Sequence, residues 1–188
     1  FSHIISHMRT LKYIFYLSRY ALAVSCAVIC VSCSPSAHYP PEIRLLISEL
    51  KKNPGNPKQY ENLINALYAY QYYDAGLEYA RKLLSLDPHS AFGLFSAGLC
   101  CEKRGFWDTA EEYFKKAREG TTPNKNAYLH LAALYYGKGA YKKCVETVQQ
   151  LLSLGPESSA VPVDALILSA KASYYDGDRG TAYKIIDQ

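Results

Sequence analysis

Apolar residues along most of this chain recur every three or four positions, the spacing that lines one face of an α-helix. Leu63 and Leu67, then Leu77, Ala80, Leu83 and Leu84, lay such a stripe on two successive helices. Asn56 followed by Pro57 marks a helix start, because an Asn side chain caps free backbone N–H groups and Pro fits the first turn. Gly105, Gly139 and Gly177 stand where a helix has to end in a left-handed turn, a conformation glycine enters without steric cost. A further helix is predicted over 42–52. The pattern predicts an all-α protein of short helices joined by tight turns.

The pattern also repeats with a period of 34 residues. Small residues recur at Gly76, Ala110 and Cys144, aromatic ones at Tyr73, Trp107 and Tyr141, and large apolar or aromatic ones at Tyr60, Leu94 and Tyr128. Prolines 54, 88 and 156 lie on the same lattice, and Pro123 is displaced from it by one. Small residues at 98, 110, 132 and 144 predict paired helices in close approach. One pair cannot bury its own stripe, so stability has to come from stacking each pair on the next.

These markers resemble the tetratricopeptide repeat: an aromatic, then Leu-Gly, Tyr, Ala, Phe and Pro over two helices and a turn. In the first unit Glu61-Asn62-Leu63, Tyr73-Asp74-Ala75 and Leu86-Asp87-Pro88 carry the likeness, with departures at Ile64, Gln71 and Gly76. The second carries Ala97-Gly98, Gly105, Ala110, Phe114 and Ala117, the third Leu131-Ala132, Tyr135, Gly139 and Tyr141. After four extra residues, Ala170, Tyr174, Gly177-Asp178 and Ala182 fit a fourth unit that begins at Val163. The resemblance implies a superhelix, an α-solenoid of antiparallel helix pairs. It has about three full repeats near 57–90, 91–124 and 125–158, with partial repeats at both ends, 42–52 and 163–188. An incomplete last unit predicts either a longer natural chain or a partner over that end.

In this family the first helices line a concave face that commonly holds a peptide. The corresponding positions here are Glu61, Asn65 and Tyr68, then Phe92, Phe95, Leu99 and Glu102, then Asn126, Leu129, Ala133 and Tyr136, then Lys171, Tyr174 and Tyr175. Such a groove is aromatic and apolar. Glu61, Phe95 and Leu129 stand where the repeats that grip acidic peptide tails carry basic or polar residues, which argues against that type. For Phe92 and Phe95 two readings stand, groove lining or packing against 42–52 or the next unit; Tyr68 and Tyr136 read as groove. The resemblance thus points to a protein or peptide partner, and an apolar small molecule is the other occupant such a face admits.

The N-terminal segment departs from the lattice. From Met8 a positive start leads into an apolar run, Tyr20 to Cys33, of 14 residues without charge. That suits a signal peptide and falls short of the roughly 20 residues a spanning helix needs. Beginning a span at Tyr13 instead would bury Arg19 at about 2.5 kcal/mol or more, so an uncleaved anchor is the lesser alternative. The run ends Cys30-Val31-Ser32-Cys33, which is similar to the lipobox of bacterial lipoproteins, although Cys30 replaces the usual Leu. That resemblance implies lipidation of Cys33, a mature chain beginning there, and membrane anchoring on the periplasmic or outer-surface side of a bacterial cell envelope. Ala23-Val24-Ser25-Cys26 is a second, poorer match, whose cleavage would leave a very apolar new N-terminus. On this reading 1–33 is an extension plus signal, 34–41 a polar tether and 42–188 the repeat array. The seven residues before Met8 carry no functional signal.

Charge and chemistry add little beyond this. The net charge of +4 owes three units to Arg9, Lys12 and Arg19, and the rest of the chain is balanced to +1, with no basic block, so nucleic acid is not an expected partner. Cys100, Cys101 and Cys144 form no Cys-x-x-Cys and read as small core residues; in an oxidising compartment Cys144 could staple to Cys100 or Cys101. His38, His89 and His130 are scattered, and the glycines stand singly in turns. Neither a catalytic constellation, a metal site nor a cofactor loop emerges, and the expectation is a binding protein and not an enzyme.

Overall fold

A computed structural model describes residues 38–119, 124–154 and 163–186. The signal segment, Cys33 and half of the tether lie outside the described residues, as do the prolines at 123 and 156. Among the described residues every regular element is an α-helix: α1 Pro41–Lys52, α2 Pro57–Ala69, α3 Tyr73–Leu86, α4 Ala91–Lys103, α5 Trp107–Ala117, α6 Lys125–Gly137, α7 Tyr141–Ser153, α8 Val163–Tyr175 and α9 Arg179–Ile186. The chain divides into two compact units, Phe1–Leu45 and Leu46–Gln188. The second holds the paired helices α2 to α9, each packed on its neighbour in sequence.

The starts of α2, α4, α6 and α8 fall at the unit starts set by the 34-residue lattice and the four extra residues. Each first helix whose cap is described opens the same way. Asn56 accepts from the Lys58 N–H, Ser90 from that of Gly93 and Asn124 from that of Asn126, which satisfies backbone donors the helix itself leaves free. Each first helix also closes the same way. The N–H groups of Tyr72, Phe106, Ala140 and Asp178 donate to the carbonyls five residues back, Leu67, Cys101, Tyr135 and Ser173, at 2.8–2.9 Å. This closure needs a positive φ, and Gly105, Gly139 and Gly177 supply it at +77°, +72° and +91°. In unit one Gln71 is forced to +64°, a conformation that costs a side-chain-bearing residue about 1 kcal/mol.

Small residues fill the close contacts between helices. Ala97, Ala110, Ala132, Cys144, Cys100 and Cys101 are fully buried, and the three thiols are free. Burial pushes the Cys100 thiol up to about 12 and that of Cys144 up to about 11, so neither is a nucleophile near neutral pH. Phe114, the largest fully buried side chain, lies flat on Gly98: a Cβ there would come within 2.5 Å of the ring. Glycine at 98 is what admits the phenylalanine at 114.

Ion pairs mark the joints between units. Arg104 reaches back to Asp74 at 2.7 Å, and 34 residues later Lys138 reaches back to Asp108 at 2.7 Å. Lys138 also holds Glu111 at 2.6 Å, which Lys115 holds from the other side at 2.7 Å. At the joint that follows, the sequence puts Lys142 and Asp176 in the corresponding places, with the signs exchanged.

Candidate polypeptide-binding face

The expected lining residues occupy the second, fifth, ninth and twelfth positions of the first helices, joined by Tyr175 at the thirteenth of α8. These spacings of three and four put them along one stripe, opposite the positions that feed the core. None of the fourteen is buried: Asn65, Asn126, Ala133, Lys171, Tyr174 and Tyr175 are exposed, and Glu61, Tyr68, Phe92, Phe95, Leu99, Glu102, Leu129 and Tyr136 are half-buried.

Several are already engaged with one another. Phe95 packs edge-on against His130 of the next unit at 5.5 Å and against Phe114 beneath it at 5.8 Å, so packing accounts for one side of its ring. Glu102 Oε2 lies 2.8 Å from His130 Nδ1, a contact that ties α4 to α6 across the face. Glu61 pairs with Lys58 on its own helix at 2.8 Å. Towards the end of the array, Tyr136, Tyr141, Tyr174 and Tyr175 form one continuous cluster with ring centroids 5.6–6.1 Å apart.

The twelfth residue of each first helix meets the first residue of the second helix, and here the units can be compared. Tyr68 meets Tyr73 edge-on at 5.4 Å, and burial together with that neighbour raises the Tyr68 hydroxyl pKa. Tyr136 meets Tyr141 in the same way at 5.7 Å. In unit four Arg179 lies over the Tyr174 ring at 5.4 Å, a cation–π version of the same contact. Unit two has Glu102 and Trp107 instead. Glu102 is committed to His130, and Trp107 is left 51% exposed, beside Phe106 at 48%.

At this place a cavity of about 700 Å³ opens, lined by Glu102, Phe106, Trp107, Asp108, Ala133, Leu134, Gly137 and Lys138 among others. The backbones agree: the first helices of units one and two, and of three and four, approach each other more closely than those of units two and three. Glu102 and Ala133 were legible as face residues. Phe106, Trp107, Gly137 and Lys138 were not, since each sits at a turn or consensus position that the repeat alone explains. The signal that would have found them is the departure of unit two from its sister units.

Among the described residues there is no group of three or more His, Cys, Asp or Glu side chains placed to hold a metal, and no helix long and apolar enough to cross a membrane. The face offers ring surfaces, a carboxylate–imidazole pair and a rim of ionised groups, which suit binding.

No family model matches the chain. It is 27% identical over 150 residues to the TPR repeat-containing protein MJ1428 of Methanocaldococcus jannaschii, a match over 80% of this chain and 26% of that protein. The chain thus spans about a quarter of the length of this curated relative. Among solved structures, a crystal structure of MamA aligns with a TM-score of 0.68 at 22% identity, over 77% of this chain and 82% of that one. The structure of YrrB, described as a TPR protein with an unusual peptide-binding site, aligns with a TM-score of 0.54 at 16% identity, over 76% and 89%. Lattice, helix pairs, turn geometry and relatives agree on the fold, a tetratricopeptide-repeat solenoid.

Proposed function

We propose that this protein is a membrane-tethered scaffold of the bacterial cell envelope that binds another polypeptide along its first-helix face. One observation carries the binding half of this reading: fourteen first-helix positions, rich in rings, stay at least partly accessible while the opposite stripe is buried. Aromatic side chains offer large contact area at low entropic cost, which suits a polypeptide ligand. The peptide-binding site named for YrrB, a protein of the same fold, lends support. For the tether the support is the Cys30-Val31-Ser32-Cys33 run after an uncharged apolar stretch.

The test is metabolic labelling with a clickable fatty acid in a bacterial host, comparing the intact chain with Cys33→Ala through membrane fractionation. Label and membrane association are expected in the intact chain and lost in the variant. Equal labelling of both, or none in either, overturns the lipid tether and leaves the binding face to be judged by polypeptide capture.

The 700 Å³ cavity favours a second reading, in which the array holds a small apolar molecule for a transporter, because its size falls in the range of small-ligand sites. Native mass spectrometry separates the two: a co-purifying small molecule supports the accessory role, and a protein that arrives empty and captures polypeptides supports the scaffold.

A further inference from the structure

The cavity of unit two has a filled counterpart in the same chain. At the joint between units three and four, Tyr175 stacks on Tyr141 with ring centroids 5.6 Å apart and planes 24° from parallel, and it also touches Tyr136 edge-on at 6.1 Å. Counted from the helix starts, Tyr141 corresponds to Trp107, and Tyr175 to Gly137. The joint between units two and three therefore keeps the lower ring and lacks the upper one. Gly137 leaves a true opening, since a Cβ built on it would meet nothing within 4 Å. Trp107 and Gly137 both line the cavity, so the missing ring and the void coincide.

The rim adds a charge preference. Of the lining residues Glu102 and Asp108 carry carboxylates and Lys138, which pairs with Asp108, is the cation, so the lining is negative by one unit. Asp108 extends its side chain into solvent, 97% exposed, where an incoming cation can reach it.

We propose that the cavity receives an aromatic side chain of the bound polypeptide, stacked on Trp107 as Tyr175 is on Tyr141, with a Lys or Arg next to it in that polypeptide meeting Asp108. This rests on the reading of the protein as a polypeptide binder and adds the partner's chemistry. A flat ring fits because the slot lies between the Trp107 indole and the bare backbone of Gly137, and offset stacking favours an aromatic over an aliphatic group of similar size. A volume of about 700 Å³ holds the ring together with backbone on either side.

Trp107 is the single tryptophan of the chain, so its fluorescence reports on the cavity directly. The probe is an end-blocked peptide with phenylalanine between two lysines, compared with peptides in which leucine replaces the phenylalanine or glutamates replace the lysines. The phenylalanine peptide is expected to change the Trp107 emission and to bind roughly five- to ten-fold more tightly than the leucine peptide. The glutamate peptide is expected to bind more weakly still, and the difference to shrink with added salt. Gly137→Tyr should fill the slot from within, as Tyr175 does in its own unit, and abolish the signal, whereas Gly137→Ala should retain it. Circular dichroism checks that both fold, and Trp107→Leu, read by anisotropy of a labelled peptide, should lose the aromatic preference if Gly137→Tyr does not fold. Equal affinity for the phenylalanine and leucine peptides, or undiminished binding by Gly137→Tyr, overturns the proposal. An array of peptides without aromatic residues, probed in parallel, tells the two readings apart: binding there alone sinks the aromatic slot and spares the scaffold, while silence on both sinks both.

Discussion

Two joints of the same array, built on the same lattice, are closed by different forces. Between units three and four the contact is a cluster of tyrosine rings, Tyr136, Tyr141 and Tyr175, packed on one another. Between units two and three two of the three rings are missing, Trp107 alone remaining beside an open space, and Lys138 bridges Asp108 and Glu111. Salt and acid weaken ion pairs such as those of the second joint, whereas the ring contacts of the first carry no charge to screen. The open joint has Glu102 and Gly137 where the closed one has Tyr136 and Tyr175, and its first helices stand farther apart.

The largest effect should come from breaking the closed joint. Tyr141→Ala removes a ring that touches two others, and a loss of roughly 2–3 kcal/mol is expected from buried area and ring contacts together. Trp107→Ala, the same change at the open joint, should cost under about 1 kcal/mol, because that ring is half in solvent and its aromatic counterpart is absent. Urea unfolding followed by circular dichroism measures both, and equal costs would end the distinction between the joints.

Acid should then separate them. Burial alone would raise the Glu111 pKa, but hydrogen bonds from Lys115 and Lys138 outweigh it and hold the carboxyl down to about 2. Because the folded value is depressed, the stabilisation is fully present above the ordinary carboxylate range and is lost as the pH falls from there through about 2. Discounting for the exposure of both lysines leaves roughly 2 kcal/mol at stake. Glu111→Gln should flatten the acid limb of a urea-midpoint profile, whereas Tyr141→Ala should shift the whole profile down in parallel.

The smallest change sharpens the picture of the turns that both joints share. Gln71 holds a φ of +64° where the other turns have glycine. Gln71→Gly should stabilise by about 0.5–1 kcal/mol, and Gly105→Ala should destabilise by about 1 kcal/mol, both read from urea midpoints.

Much of this was legible in the sequence, and what was not has a physical reason. Asn56, Gly105, Gly139 and Gly177 announced the helix ends because capping and left-handed turns demand particular residue types. The paired small residues announced close helix packing, and Gly98 under Phe114 shows why. The accessible stripe followed from counting along helices of known phase. Which rings would pair did not follow, because Tyr68 and Tyr136 read as free groove residues while in the structure each leans on the ring that opens its own second helix. The cavity escaped for the opposite reason: Trp107 fits the repeat so well that it reads as scaffold, and its exposure depends on what Glu102 and Gly137 fail to provide.

The exchanged charges along the joints carry one more consequence. Arg104 and Lys138 answer Asp74 and Asp108 across their joints, whereas the fourth unit carries Asp176 where those cations stand and the third carries Lys142 where those carboxylates stand. Units of one fold can dock out of order while a chain is folding, and a fourth unit set on the first or second would bring Asp176 up against Asp74 or Asp108, where like charges repel.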